Sequence, residues 1–245
     1  MLSDRISILF LLLTLLAEIV GTIGGFGSSV FFVPVANFYF SFESALGLTA
    51  MFHVASNLSK IAQFRKGLDK RLIISLGVPA VIFVIVGGLL ASYFNTVLLQ
   101  YGLGIFLIIL SAVFLLNRDL VIKDGTKEAI VGGSMSGFLA GLLGTGGAVR
   151  GLTMAAFNLE KNIFIATSAV IDFGVDFTRT IVYYFNGFIR SEDMIYVPFL
   201  VVIGWVGTWI GKWTLNYIPQ EKFRKISLFL VLIVGVITLA KVSLF

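Results

Sequence analysis

Arg150 is the residue with the most chemistry to offer. It sits in an otherwise apolar stretch, directly after Gly144-Thr145-Gly146-Gly147-Ala148-Val149. A guanidinium donates several hydrogen bonds in a fixed fork that fits sulfonate, sulfite or carboxylate oxygens. A charge at membrane depth is expensive and marks function by default. Its structural alternatives are pairing with an intramembrane acid or snorkelling to the cytoplasmic face. The glycines before it have a counterpart about 120 residues upstream, Gly24-Gly25-Phe26-Gly27-Ser28-Ser29. A helix that starts at such a break presents unpaired N–H groups and a partial positive charge. That setting holds anions, and glycine lets a ligand approach the backbone closely. Gly25, Gly27, Ser28, Ser29, Thr145, Gly146, Gly147 and Arg150 are therefore the candidate anion-binding residues, with Asn57 beside them. Close helix packing would also explain one glycine cluster. Two clusters at matching positions favour a site.

A second set of residues could move protons. Asp172, Asp176 and Arg179 are spaced i, i+4 and i+7 and share one helix face. Asp176 and Arg179 are expected to form a charge pair, which leaves Asp172 as the less compensated acid. A carboxyl removed from water can take up and release a proton. Glu18, six residues before the first break, and His53, the only histidine, complete the proton-coupling candidates. A purely structural salt-bridge cluster is the alternative. Asn57 follows His53 by one turn and Gln63 comes later; both are expected to line the same cavity. Lys60 is expected to snorkel to the cytoplasmic end. One histidine and no cysteine argue against a metal site and against a nucleophile–base pair. No cofactor or enzymatic activity is expected. A phosphate-binding loop of the Gly-x4-Gly-Lys-Ser/Thr type is absent, so ATP does not drive this chain directly.

The elements that must position these residues are membrane helices. The chain is 58% hydrophobic with a mean hydropathy of +1.02, and 13% of its residues are charged. A soluble domain would carry roughly twice that charged fraction. Ten apolar segments are predicted: 6–23, 27–40, 44–64, 72–93, 96–116, 128–145, 148–159, 162–186, 194–215 and 223–243. Segments 27–40 and 148–159 are too short to cross ~30 Å of hydrocarbon. They are expected to be half-helices or re-entrant pieces, tolerated where protein or a water-filled cavity satisfies the backbone. The apolar N-terminal stretch runs into the first break and is kept as part of the mature protein.

A shift of about 120 residues overlays the halves, with Gly24 on Gly144, Gly27 on Gly147, Gly67 on Gly187 and Gly87 on Gly207. Pro79 falls one residue off register from Pro198. The fold expected is an all-α integral membrane protein, one transmembrane domain over 1–245, with repeats at 1–120 and 121–245. Five segments per repeat make the repeats inverted. Paired interruptions in two halves point to a transporter's substrate site.

The net charge of +5 resides in loops and does not indicate nucleic-acid binding. Arg65, Lys66, Lys70 and Arg71, then Arg118, Lys123 and Lys127, then Lys161, then Lys222, Arg224 and Lys225 form one set. The opposite set holds Arg5, Arg190 beside Glu192 and Asp193, and Lys241. The first set belongs in the cytoplasm. The expected location is the inner (plasma) membrane, multi-pass, with both termini outside. Trp205, Trp209 and Trp213 are spaced four apart and should face lipid or a second subunit, so a homodimer is admitted. Tyr183 and Tyr184 are placed near an interface.

The duplicated glycine stretch, with Val33-Pro34 after the first break, resembles the sulfite exporter TauE/SafE family. The second half contributes Gly137-Phe138-Leu139-Ala140-Gly141-Leu142-Leu143-Gly144-Thr145-Gly146-Gly147. Ala45-Leu46-Gly47-Leu48-Thr49 and Ala166-Thr167-Ser168 are similar to the small-residue starts that follow each break in that family. The resemblance covers nearly the whole chain. It implies proton-driven secondary transport, usually export, of sulfite or sulfonates such as sulfoacetate. The expected partners are a small anion, protons and the lipid bilayer. An uncoupled anion channel, a cation transporter and a membrane-embedded enzyme stay open as alternatives.

Overall fold

The computed structural model describes residues 7–24, 27–64, 67–116, 123–215, 217 and 220–244. Arg5, Gly25, Arg65, Lys66 and Arg118 lie outside the described residues, as do the side chains of Lys222, Arg224 and Lys225. Every described element is helical. In chain order the helices are α1 (Ile8–Gly24), α2 (Ser29–Tyr39), α3 (Phe42–Gln63), α4 (Lys70–Ala91), α5 (Thr96–Leu116), α6 (Thr126–Leu143), α7 (Gly147–Ala155), α8 (Lys161–Phe185), α9 (Ser191–Thr214) and α10 (Gln220–Leu244).

Lengths divide them by role. At 1.5 Å per residue, α2 and α7 reach only about 17 and 14 Å, roughly half a bilayer, because they have 11 and 9 residues. α7 ends four residues earlier than the sequence suggests, in a turn at Ala156–Phe157. α3 and α8, at 22 and 25 residues, are long enough to cross, yet carry the polar side chains. Most of α3 is buried, including Thr49, His53, Ser56, Asn57 and Lys60. α4, α5 and α9 are outer helices, long and apolar enough to span a membrane. Each exposes large apolar residues, such as Ile82 and Phe83, Ile105 and Ile109, and Trp205 and Trp209. Lipid accounts for that exposure, where water would not.

Proline shapes α4 and α9 alike. In α4 a π-helical stretch, Ile73–Gly77, precedes Pro79. In α9 a 3-10 stretch, Ser191–Tyr196, precedes Pro198. A proline ring clashes with the carbonyl one turn back and supplies no N–H, so the preceding turn must widen or tighten.

Glycine sets how closely the helices approach. Gly133, Gly137 and Gly141 of α6 face the backbone of Leu76, Ala80 and Val84 in α4, and a Cβ at any of them would strike a carbonyl oxygen. Gly207 and Gly211 of α9 instead make room for side chains, those of Glu18 and Thr22 on α1, whose carbons a Cβ would crowd. Small residues at such contacts are the usual means of helix association in lipid. α4 packs on α6 and on α8, while α9 packs on α1 and on α3; α3 packs on α8 and α5 on α10. Exchanging α1–α5 with α6–α10 returns these pairs.

Candidate functional site

Two helix breaks meet at the centre. Gly27 and Gly144 adopt left-handed backbone angles, φ +79° and +76°, which glycine takes without strain. Gly144 ends α6, its N–H donating to the Ala140 carbonyl. The chain then reverses and α7 starts at Gly147. On the other side α2 starts at Ser29, after Gly27-Ser28. Ser29 Oγ lies 3.2 Å from Thr145 Oγ1, tying the two breaks together. Gly27, Ser29, Gly146 and Gly147, at the starts of both half-helices, line one small cavity with Arg150. His53, Asn57 and Lys60 come from α3, and Asp172, Asp176 and Arg179 from α8.

The charges there are buried and paired. Arg150 forms an ion pair with Asp172, and its Nε donates to Ser168 Oγ at 3.0 Å. The structural alternative for Arg150, pairing with an intramembrane acid, is therefore what this conformation contains. Asp172 is correspondingly not the uncompensated acid that its spacing suggested: Arg150 reaches it from α7, a contact that one helix's periodicity cannot reveal. The expected Asp176–Arg179 pair is present, at 2.8 Å. Asn57 Nδ2 donates to Asp176 Oδ2 at 2.7 Å. Arg179 Nη1 also donates to the carbonyls of Gly144 and Ala140, at 2.8 and 3.3 Å, and so caps the negative end of α6.

Lys60 does not snorkel. It is 7% exposed and lies 2.8 Å from Glu18, which is fully buried on α1. An acid so placed at membrane depth holds the ammonium inside. Ser56, Thr22 and Thr208 donate to the same Glu18 oxygen. Ser28 points away from the cavity, its hydroxyl 2.5 Å from Glu18 Oε2 and 2.7 Å from His53 Nε2. Thr145 is buried beside the cavity without lining it. Gln63 lies elsewhere, beside the tryptophan stripe, where Lys212 Nζ donates to its carbonyl at 2.5 Å. Tyr183 is buried and donates to the Gly141 carbonyl at 2.7 Å, whereas its neighbour Tyr184 is exposed. Lys60, Ser56, Thr208 and Ser168 were missed as site residues. The i, i+4 spacing of Ser56 with Lys60, and of Glu18 with Thr22, was the available signal.

Chemically, the site is a neutral cluster. Arg150, Arg179 and Lys60 face Asp172, Asp176 and Glu18, three cations against three acids. The cavity, about 20 Å³, holds little more than one water. A second small cavity, lined by Thr22, Phe164, Ile165 and Ser168 among others, shares Gly27, Lys60, Arg150 and Asp172 with the first.

The comparisons with known proteins bear on the family. A family profile described as sulfite exporter TauE/SafE matches residues 10–238. A probable membrane transporter protein of Methanocaldococcus jannaschii is 26% identical over 182 residues, covering 66% of this chain and 67% of that protein. A multi-pass bundle with two broken helices at its centre and a match over nearly its full length establish that the chain belongs to the sulfite exporter TauE/SafE family of membrane transporters.

Proposed function

We propose that the chain is a proton-coupled secondary transporter of a small sulfur-containing oxyanion or organosulfonate, such as sulfite or sulfoacetate, working in the direction of export. One observation carries this: the starts of both half-helices and the Arg150 guanidinium line one cavity whose other ionised side chains cancel in charge. The N-terminal ends of two helices and a guanidinium favour an anion. Adding a monoanion to a neutral buried cluster leaves one uncompensated charge, and a proton taken up by one of the acids removes it. Glu18, Asp172, Asp176 and His53 are the groups available to hold that proton.

Transport by alternating access follows if the halves rock against each other about the cavity. The exchange symmetry of the packing supports two repeats, and an odd number of helices in each makes them inverted. The loop charges put the 65–71 and 117–127 loops in the cytoplasm and both termini outside, in the inner membrane.

Thermal stability of the purified protein against sulfite, sulfate, thiosulfate, sulfoacetate, taurine, acetate and phosphate tests the substrate class. A ligand of the native state raises apparent stability with its occupancy. Selective stabilisation by a sulfur oxyanion or sulfonate is expected. A flat response, or one to divalent cations only, would overturn the substrate.

A further inference from the structure

Glu18, Ser28 and His53 form a hydrogen-bonded chain beside the anion cavity. Ser28 Oγ lies 2.5 Å from Glu18 Oε2 and 2.7 Å from His53 Nε2. His53 Nδ1 lies 2.8 Å from the Thr49 carbonyl oxygen. All three side chains are buried.

Hydrogens can be counted along this chain. A carbonyl only accepts, so the Thr49 contact requires a hydrogen on Nδ1. Arg179 Nη2 also faces Nδ1, at 3.4 Å, and as a permanent donor it would favour a bare nitrogen. The carbonyl contact is much the shorter and decides the tautomer. A neutral ring then has a bare Nε2, which must accept. The Ser28 hydroxyl has one hydrogen for two close neighbours. If it donates to Nε2, the Glu18 oxygen must carry a hydrogen and donate to Ser28. If it donates to a Glu18 carboxylate, Nε2 must carry a hydrogen and the ring is an imidazolium. Both cases contain one hydrogen more than a carboxylate with a neutral imidazole, so this conformation is the proton-loaded one: the three cation–acid pairs balance as ionised side chains, and the extra hydrogen gives the cluster one positive charge that a monoanion offsets.

We propose that Glu18, Ser28 and His53 hold one shared proton and relay it through the Ser28 hydroxyl. This rests on the proton-coupled transport proposed above and names the path. In the relay the Glu18 Oε2–H bond breaks as a new Ser28 Oγ–H bond forms. The original Ser28 O–H bond breaks as His53 Nε2–H forms. No atom is gained or lost, and one positive charge moves from Glu18 to His53. His53 lines the anion cavity, so the relay delivers the proton to the anion's side.

The charges around the path set its balance. Lys60 of α3 faces Glu18, and from α9 the only described polar contact is the Thr208 hydroxyl. Arg179 of α8 faces His53 and is paired with Asp176, with Arg150 and Asp172 across the cavity. A proton on Glu18 leaves Lys60 uncompensated, and a proton on His53 sits beside Arg179. An anion that draws Arg179 or Lys60 toward itself therefore biases where the proton resides. Ser28, whose hydroxyl is fully engaged, is a proton carrier in this scheme and not an anion ligand.

Because His53 is the only histidine, nitrogen-labelled histidine gives a single imidazole in NMR of the intact wild-type protein. The expected ring carries a hydrogen on Nδ1 across the pH range. A bare Nδ1 with a protonated Nε2 would overturn the relay, since that tautomer completes the chain without an extra proton. A second arm uses Ser28→Ala in proteoliposomes, with sulfite as the probe. Sulfite exchange at equal pH should persist, while uptake driven by a pH gradient should fall by about tenfold or more. Unchanged pH-driven uptake overturns the relay. So does joint loss of exchange and of sulfite-induced thermal stabilisation, which would make Ser28 an anion ligand. If wild-type protein ignores sulfite while His53 shows the Nδ1–H ring, the relay geometry is upheld and the substrate assignment fails.

Discussion

At the scale of single residues, the Arg150–Asp172 pair is the point where, in the proposed function, an anion would compete with the protein's own acid. Arg150 cannot lose its charge, whereas Asp172 can be neutralised by a proton. The two substitutions therefore differ in outcome. Arg150→Ala leaves an acid that a proton can neutralise, so the protein should fold but lose stabilisation by sulfite. Normal sulfite affinity in that variant would remove Arg150 from the site. Asp172→Asn keeps an oxygen that Arg150 can reach and removes the competing charge. Sulfite affinity should then rise roughly tenfold, about 1.4 kcal/mol, read by calorimetric titration; a weaker affinity would show that Asp172 does not compete. Five of the six charges in the buried cluster were plain in the sequence, because Glu18, Arg150, Asp172, Asp176 and Arg179 stand out against apolar surroundings, whereas Lys60 reads as a snorkelling residue. Their partners were not. Asp176–Arg179 lies within one helix, and its spacing gave it away. Arg150–Asp172 and Glu18–Lys60 join different helices, so only the packed fold brings them together.

At the scale of helices, the α4–α6 contact is set by backbone against backbone. Gly137 lies so close to the Ala80 carbonyl that a methyl group would force the helices apart. Overpacking of this kind costs roughly 1–3 kcal/mol, and Gly137→Ala should lower thermal stability accordingly. Gly102 is the control: a Cβ there would meet Leu143 at an ordinary 3.5 Å, so Gly102→Ala should be neutral or stabilise by up to about 1 kcal/mol. Equal effects from both would mean that helix propensity, and not close approach, decides. Helix positions were legible to within a few residues because apolar runs and breaks mark them. The roles of individual glycines were not legible, since a glycine at a ligand site and one at a helix contact look alike in sequence. Gly146 shows both: it lines the cavity, and a Cβ there would hit the Ser136 carbonyl.

For the whole molecule, the question is how the two proposed repeats would sit in the bilayer. The swapped packing, α1 on α9 and α6 on α4, is what a two-fold relation produces, and five helices per half would place the halves in opposite orientations. Orientation is open to a clean test because the chain has no cysteine. Asp124 and Ser92 are exposed residues on the connections either side of α5, the one leading into α6 and the one leaving α4. With positive loops inside, Asp124→Cys should react with a membrane-impermeant thiol reagent only from the cytoplasmic side. Ser92→Cys should react only from outside. Lys123 and Lys127 flank the first position, and no cation lies at 94–95 beside the second. If both cysteines label from one side, the five-helix count per half is wrong and the halves are not inverted. If the sides are reversed, the inverted arrangement survives with its charges facing outward. The proposed proton relay would then load from the opposite compartment, and the proposed direction of transport would reverse with it.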